Sequence, residues 1–262
     1  MERLFVIKIG GSVIDDEHAL QSFLKDLAAV KGKKILIHGG GKIATKWGDK
    51  LGIRSQYIDG RRITGAVEIE LVTMVYGGLV NKQVVAKLQS LNCNALGLTG
   101  ADANIIPAVK RPVNEIDYGF VGDIVNDQLA TGNWQMFLEN GLVPVVAPLT
   151  HDGKGQILNT NADTIASAIA VALSAYYDVR LIYCFEKKGV LENISDENSV
   201  VSLMTKDIYR ELLEENKLAD GILPKIDNAF GAINNGVKEV LLGHADDLLV
   251  NCTEETKGTL FT

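Results

Sequence analysis

The residues that most readily betray a chemistry are scarce here. Three cysteines, Cys93, Cys184 and Cys252, are odd in number, far apart and never in CxxC spacing. That argues against a disulfide framework or a zinc site and for buried thiols in a reducing compartment. The four histidines, His18, His38, His151 and His244, lack metal-ligand spacing, and none is assigned a role. No Ser/His/Asp or Cys/His set follows from residue order alone. Positive charge is in deficit: 26 Lys+Arg stand against 33 Asp+Glu, a net charge of -7. General nucleic-acid binding is therefore not expected, because no basic excess exists to displace counterions from a phosphate backbone. An anion handled by this chain must be met by cations gathered locally. No apolar run approaches the ~20 residues needed to cross a bilayer. The opening MERLFVIKIGG is no signal peptide: its apolar run is short, broken by Lys8 and without a small-residue cleavage site. A cytoplasmic protein without membrane contact is the expectation, which makes the sequons at Asn193 and Asn251 chance matches.

What is present is ordinary in bulk and specific in pattern. Of 262 residues, 47% are apolar and 23% charged, enough for a large core. Short β-branched runs read as buried strands at 4–9, 33–38, 94–100, 142–149, 179–185 and 237–242. Between them lie helical patterns. One is capped by Asp15 or Asp16 and stopped near Gly32; others run from the glycines after His38 to about Leu51, from 66 to 91, from 133 to 140, from a capping asparagine at 159 to 174, and near 205–216 and 224–235. The stretches 105–113 and 118–125 read as a hairpin. Alternating strands and helices predict an α/β fold: a three-layer αβα sandwich on a mostly parallel sheet. No repeat, low-complexity tract or Pro/Ser-rich linker divides the chain, so 1–262 is expected to be one domain with two lobes on one continuous sheet. In such sheets ligands sit beyond the carboxyl ends of the strands.

The glycine clusters fall at those ends. Gly10-Gly11 follows the first strand, and Gly39-Gly40-Gly41 follows the second. Glycine lets a ligand touch the backbone, and a helix opened by a glycine turn offers free N–H groups to an anion. One cluster reads equally well as a bare turn; two at one sheet edge favour a ligand. Gly39, Gly41 and Ala44 also satisfy GxGxxA, with Asp59 twenty residues beyond Gly39. That is the dinucleotide fingerprint and supports a competing NAD-dependent oxidoreductase. Two features oppose it: an equally glycine-rich turn comes earlier, and Asp59 lies in the polar piece YIDGRR rather than at a strand end. No Walker A pattern is present. Lys8 interrupts a buried run, which is costly without a partner anion. Lys225 follows Pro224 at a helix start, where the dipole opposes a cation. Arg61-Arg62 could clamp a carboxylate, and Asn159, Asn161 and Asp163 exceed what capping one helix needs.

Together VIKIGGS (6–12), LIHGGGK (36–42), GRRIT (60–64), GFVGDI (119–124), NTNADTIA (159–166) and GILPKID (221–227) resemble the amino acid kinase family, in joint order and over nearly the whole chain. The closest resemblance is to the branch that phosphorylates the γ-carboxylate of N-acetyl-L-glutamate in arginine biosynthesis; N-succinyl-L-glutamate is the alternative acceptor. The resemblance implies ATP with Mg²⁺ as cofactor and no metal held by the protein alone. It implies Lys8 and Lys225 as the cations on the transferring phosphoryl group, with Asp163 orienting them. Gly10 and Gly11 would contact phosphate. Gly40, Gly41, Arg62 and Asn159 would hold the acylated amino acid. Phe185, Glu186, Gly189, Asp220, Gly221 and Ile222 would line the nucleotide pocket. It places an acceptor-binding, dimer-forming lobe at about 1–175 and a nucleotide lobe at about 176–262. Where family members commonly read something like TDVPGV, this chain has Phe185-Glu186-Lys187-Lys188-Gly189-Val190. Glu186 keeps the charge of the usual Asp, while Lys187 and Lys188 depart from the pattern. Hexameric, arginine-inhibited members carry an additional N-terminal helix. The first strand here begins at about Arg3, so a homodimer without arginine feedback is expected.

Overall fold

A computed structural model describes the chain except for positions 59, 194, 216 and 219–221. In chain order the elements are β1 (Arg3–Ile9), α1 (Gly11–Asp15), α2 (Glu17–Ala29), β2 (Lys33–His38), α3 (Gly41–Lys50), β3 (Tyr57–Ile58), β4 (Arg61–Arg62), α4 (Ala66–Val72), α5 (Asn81–Ser90), β5 (Ala95–Leu98), β6 (Ala108–Lys110), β7 (Gly122–Ile124) and α6 (Thr131–Glu139). There follow β8 (Val143–Val146), β9 (Leu149–His151), β10 (Ile157–Asn159), α7 (Ala162–Leu173), β11 (Asp178–Phe185), β12 (Leu203–Met204), α8 (Lys206–Glu214), α9 (Leu223–Asn234), β13 (Glu239–His244), α10 (Leu248–Asn251) and β14 (Thr259–Phe261). The fold is α/β, with a large, mostly parallel sheet and helices, as the alternation predicts.

The chain divides into two compact units, 1–35 with 166–262 and 36–165. The sequence reading places 1–35 with the acceptor lobe; the contacts group it with the later strands because β1 pairs with β11. That ladder is parallel and complete, from Arg3 opposite Asp178 to Ile9 opposite Cys184. β13 extends the sheet in parallel on the other side of β11, and β14 returns antiparallel along β13. β14 has no counterpart in the sequence reading. Leu4, Val6, Ile7 and Ile9 have no exposed surface, each contributing about 1.5–3 kcal/mol of burial. Asp16 caps α2 by accepting from the Ala19 N–H at 2.9 Å, and Gly32 takes its left-handed φ of +90°. At the amino end of this sheet the buried Arg180 donates to Glu239 at 2.7 Å, and Arg3 reaches the same carboxylate oxygen at 2.8 Å. Burial alone would push the Glu239 carboxyl up, but the two guanidiniums win and hold it below the usual range.

In the 36–165 unit, β2 and β5 flank β8, all parallel. β6 and β7 form the predicted hairpin. Two further antiparallel pairs, β3 with β4 and β9 with β10, were not predicted; at two or three residues each they are too short to show a period. The predicted 66–91 helix exists, but Thr73–Val80 in its middle winds as a π-helix. Two cysteines are buried and Cys252 is half-buried. Burial pushes the Cys184 thiol up, and raises Cys252 to about 12, so neither is a thiolate at neutral pH.

Candidate active site

The 36–165 unit holds a cavity of about 250 Å³ lined by Gly40, Gly41, Arg62 and Asn159, all four of the residues expected at the acylated amino acid. β2 ends at His38, and the chain turns through Gly39 to Gly41 into α3. Gly40 sits at φ +151°, and a Cβ there would lie 3.0 Å from the Tyr76 ring. Gly41 is different: nothing lies within 4 Å of its would-be Cβ and its φ is ordinary. No contact within the chain calls for glycine at 41, so the open space beside it is room for a ligand against the backbone.

Arg62 is the built part of this cavity. It is 6% exposed, and its guanidinium is held in place within the chain: it donates to Ser55 Oγ, to the Gly41 carbonyl at 2.9 Å and to Thr45 Oγ1 at 3.0 Å. It lies 4.9 Å from the Tyr57 ring centroid. Such a network offsets much of the cost of burying a cation. Tyr76 shares the wall; burial raises its phenol above the ordinary value despite Arg62 beside it.

The three polar residues before α7 divide the work. Asn161 Oδ1, not Asn159, caps the helix, accepting from the N–H groups of Asp163 at 2.8 Å and Thr164 at 3.1 Å. Asn159 is thereby released to the cavity, its amide donating to Thr64 Oγ1 at 3.0 Å. Asp163 lies in the first turn of α7, where the helix dipole favours a carboxylate. Sequence reasoning missed Tyr57, Tyr76 and Arg111 in this cavity. Arg111 is held by Asp123, Nε to Oδ1 at 3.0 Å, which raises its pKa further. No spacing signal in the sequence separates it from any other strand-end arginine.

In the other unit, Lys8 is half-buried near the end of β1, opposite Tyr183 of β11. The Gly10 N–H donates to the Cys184 carbonyl at 3.2 Å. Would-be Cβ atoms at Gly10 and Gly11 meet nothing closer than 3.6 Å, so at 10 and 11, as at 41, packing does not require glycine. α9 opens with Ile222 at its cap and Pro224 in the first turn, and Lys225 points its ammonium at the Phe185 ring, 5.8 Å from the centroid. Beta-strand register and helix start thus bring Phe185 and Lys225 together. Asp220 and Gly221 lie outside the described residues. A second cavity, about 310 Å³, is lined by Glu186, Lys187, Lys188, Glu197, His244 and Asp246 among others. Lys187 pairs with Glu197 at 3.7 Å, and Lys188 donates to Asn198 at 2.9 Å. Gly189 is explained by packing: a Cβ there would meet Thr259 Oγ1 at 2.6 Å. Asp59, the acidic member of the dinucleotide pattern, also lies outside the described residues. Among the described residues no three His, Cys, Asp or Glu side chains group as metal ligands.

Residues 3–244 match the model of the amino acid kinase family. An acetylglutamate kinase of Cytophaga hutchinsonii is 54% identical over 99% of this chain and 98% of its own. One of Bacteroides thetaiotaomicron is 50% identical over 98% of each. A solved protein of Streptococcus mutans UA159 superimposes with a TM-score of 0.78 at 30% identity, over 99% of this chain and 98% of that one. With the glycine turns, the buried arginine and the two lysines in the order the motifs require, the chain belongs to the amino acid kinase family.

Proposed function

We propose that the chain is an ATP-dependent kinase that phosphorylates the γ-carboxylate of N-acetyl-L-glutamate, giving N-acetyl-L-glutamyl 5-phosphate in L-arginine biosynthesis. The observation that carries the reading is the cavity of the 36–165 unit. A buried, preorganised Arg62, the Asn159 amide and the open backbone at Gly41 suit a small N-acylated dicarboxylate. Acetylglutamate kinases about half identical over nearly the full chain support the same acceptor, and the dinucleotide alternative is disfavoured by the family.

The chemistry fits the inventory. A side-chain carboxylate has a pKa of about 4.3 and is already a nucleophile at neutral pH, so no general base is needed. No histidine or cysteine is among the described residues that line the acceptor cavity. Phosphoryl transfer asks for in-line placement and for neutralised charge. In this reading Lys8 and Lys225 hold the charge of the transferring group, Asp163 orients them, and Gly10 and Gly11 leave backbone bare for phosphate. Phe185, Glu186, Gly189, Ile222 and the segment with Asp220 and Gly221 take the nucleotide. Mg²⁺ bound together with ATP would supply positive charge against the phosphates. The open glycine backbone and the two lysines fit the phosphates that would carry the ion, and among the described residues no cluster of carboxylates is built to hold it alone. The acyl phosphate formed is prone to hydrolysis, so the acceptor and phosphate must react out of water.

The reading includes a cytoplasmic homodimer. No described helix is long and apolar enough to cross a membrane, and the exposed Val67 and Met74 offer apolar surface to a second copy. ADP release measured with N-acetyl-L-glutamate and MgATP tests the activity. N-succinyl-L-glutamate, run in parallel, tests the acyl group, because Arg111 lines the same cavity. A larger kcat/KM for the succinyl compound replaces acetyl in the reading. Saturable NAD binding without ADP release removes the kinase.

A further inference from the structure

His38 is fully buried, between the glycine turn and the π-helical stretch, and the mechanism above does not use it. Its Nδ1 lies 2.7 Å from the Gly39 carbonyl oxygen, and its Nε2 lies 3.1 Å from the Asn81 side-chain nitrogen. A carbonyl can only accept, so Nδ1 carries the proton. The Asn81 nitrogen is fixed as the donor because it also lies 2.9 Å from the Val145 carbonyl; Nε2 therefore accepts. One neutral tautomer satisfies both partners, and a second ring proton would face the Asn81 NH₂. Burial agrees, holding the imidazole pKa down at about 4.

The surroundings are shaped to keep this pair. Asn81 is fully buried, and a Cβ on Gly97 would fall 2.1 Å from its Oδ1, so glycine at 97 leaves it room. Tyr76 and Asn81 are five residues apart. On an α-helix they would point roughly 140° away from each other. The π-helical winding of Thr73–Val80, with its i→i+5 pattern, brings both toward the turn: Tyr76 beneath Gly40 and Asn81 onto His38. The glycine turn is thus held from below at two successive residues, Gly39 by hydrogen bond and Gly40 by packing.

We propose that His38, seated on Asn81, is a positioning residue: its tether to the Gly39 carbonyl fixes the turn so that the backbone at Gly40 and Gly41 meets the acylated amino acid. This rests on the acceptor assignment given under Proposed function. With no exposed surface, His38 acts through Gly39 and not on the acceptor itself.

Two substitutions separate the tether from bulk stability. In His38→Asn the side-chain amide reproduces the Nδ1–H toward Gly39 and loses contact with Asn81. In His38→Gln the longer amide still reaches Asn81 and loses Gly39. Both bury one amide in place of the ring. KM for N-acetyl-L-glutamate should rise about tenfold or more in His38→Gln and stay within about threefold of the parent in His38→Asn, with KM for MgATP unchanged in both. Equal KM changes in the two variants, or a parallel change for MgATP, overturn the proposal. Asn81→Ala, which frees the ring without deleting it, should raise the same KM to an intermediate degree; no change there also overturns it, even if the His38 variants do not fold. The ¹H–¹⁵N amide resonances of Gly40 and Gly41 in the full chain give a reading that needs no turnover. They should move in His38→Gln and hold in His38→Asn. If the parent enzyme phosphorylates no acyl-glutamate, the functional assignment fails, while these resonances still decide whether the tether exists.

Discussion

In the 36–165 unit Arg62, one of the cations lining the cavity, is 6% exposed and bound to three partners before any ligand arrives. In the other unit the cations at the second cavity stand in solvent: Lys187 is 46% exposed and its partner Glu197 68%. The first arrangement holds a rigid shape, because moving Arg62 would cost several buried hydrogen bonds at once. The second sets a local charge that water and salt screen. An acceptor that must be distinguished from other small carboxylates suits the first. A nucleotide recognised through a polyanionic tail suits the second. Lys8 and Lys225 belong to neither kind; both are half-buried, and their assigned work is on the reacting group itself.

The sharpest test of this contrast is Lys8→Ala. Removing one donor to a transition-state charge costs about a hundredfold or more in kcat, and KM for N-acetyl-L-glutamate should barely move, since Lys8 is not among the residues lining the acceptor cavity. Near-normal kcat would take Lys8 out of the chemistry. Matched rises in KM and losses in kcat would merge the two functions that the comparison separates.

Stability against pH distinguishes the units next. His38 is held near 4 when folded, against 6.5 for an unperturbed imidazole. The unfolded chain therefore binds the extra proton first. The stabilisation is complete above about pH 6.5 and is lost as pH falls toward 4, roughly 3 kcal/mol in all. Glu239, in the other unit, is held below its ordinary 4.5. Its contribution is present above pH 4.5 and is lost only as pH falls through the lower folded value. Hydrogen exchange followed from pH 7 down to 4 should show the 36–165 unit loosening first. In His38→Asn that early loss should flatten. Simultaneous loosening of both units in the parent, or an unchanged slope in the variant, would show that His38 does not govern the acid response.

Much of this was legible in the sequence, and the gaps have physical causes. Lys8 could be singled out because a charge in a buried run is expensive wherever the strand goes. The glycine clusters could be placed because a parallel sheet puts its ligands at one edge. Asn159 and Asn161 could be counted as surplus but not sorted, since which one caps depends on a helix start that differs by two residues between reading and structure. The π-helical turn was invisible: TMVYGGLV keeps an apolar helical pattern, and the contacts that accompany its wider winding, to His38 and Gly40, are tertiary. His38 itself was set aside for want of metal-ligand spacing, a criterion blind to a ring whose partners are an adjacent carbonyl and a residue 43 positions on.

Arg62→Ala comes third in size. Hydrogen bonds to a charged group contribute about 1.5–3 kcal/mol, so KM for N-acetyl-L-glutamate should rise roughly ten- to a hundredfold while KM for MgATP holds. Arg62→Lys should recover little, because an ammonium cannot span Ser55, Gly41 and Thr45 together as the planar fork does. Good rescue by lysine would mean that charge alone matters at this cavity, and the contrast between a shaped site and a charged one would dissolve.

The smallest effect belongs to the residues that depart from the family pattern. Lys187 and Lys188 make one exposed ion pair and one exposed hydrogen bond, with Glu197 and Asn198. Pairs of this kind are worth about 0–1 kcal/mol and weaken with salt. The double substitution Lys187→Ala, Lys188→Ala should therefore raise KM for MgATP less than about threefold at 0.15 M salt. The ratio between variant and parent should widen at low ionic strength, where the Debye length grows from about 8 Å toward 30 Å, and leave KM for N-acetyl-L-glutamate untouched at every salt concentration. A tenfold rise that is indifferent to salt would instead make these two lysines direct, desolvated contacts to the nucleotide, and the second cavity would then be as built as the first.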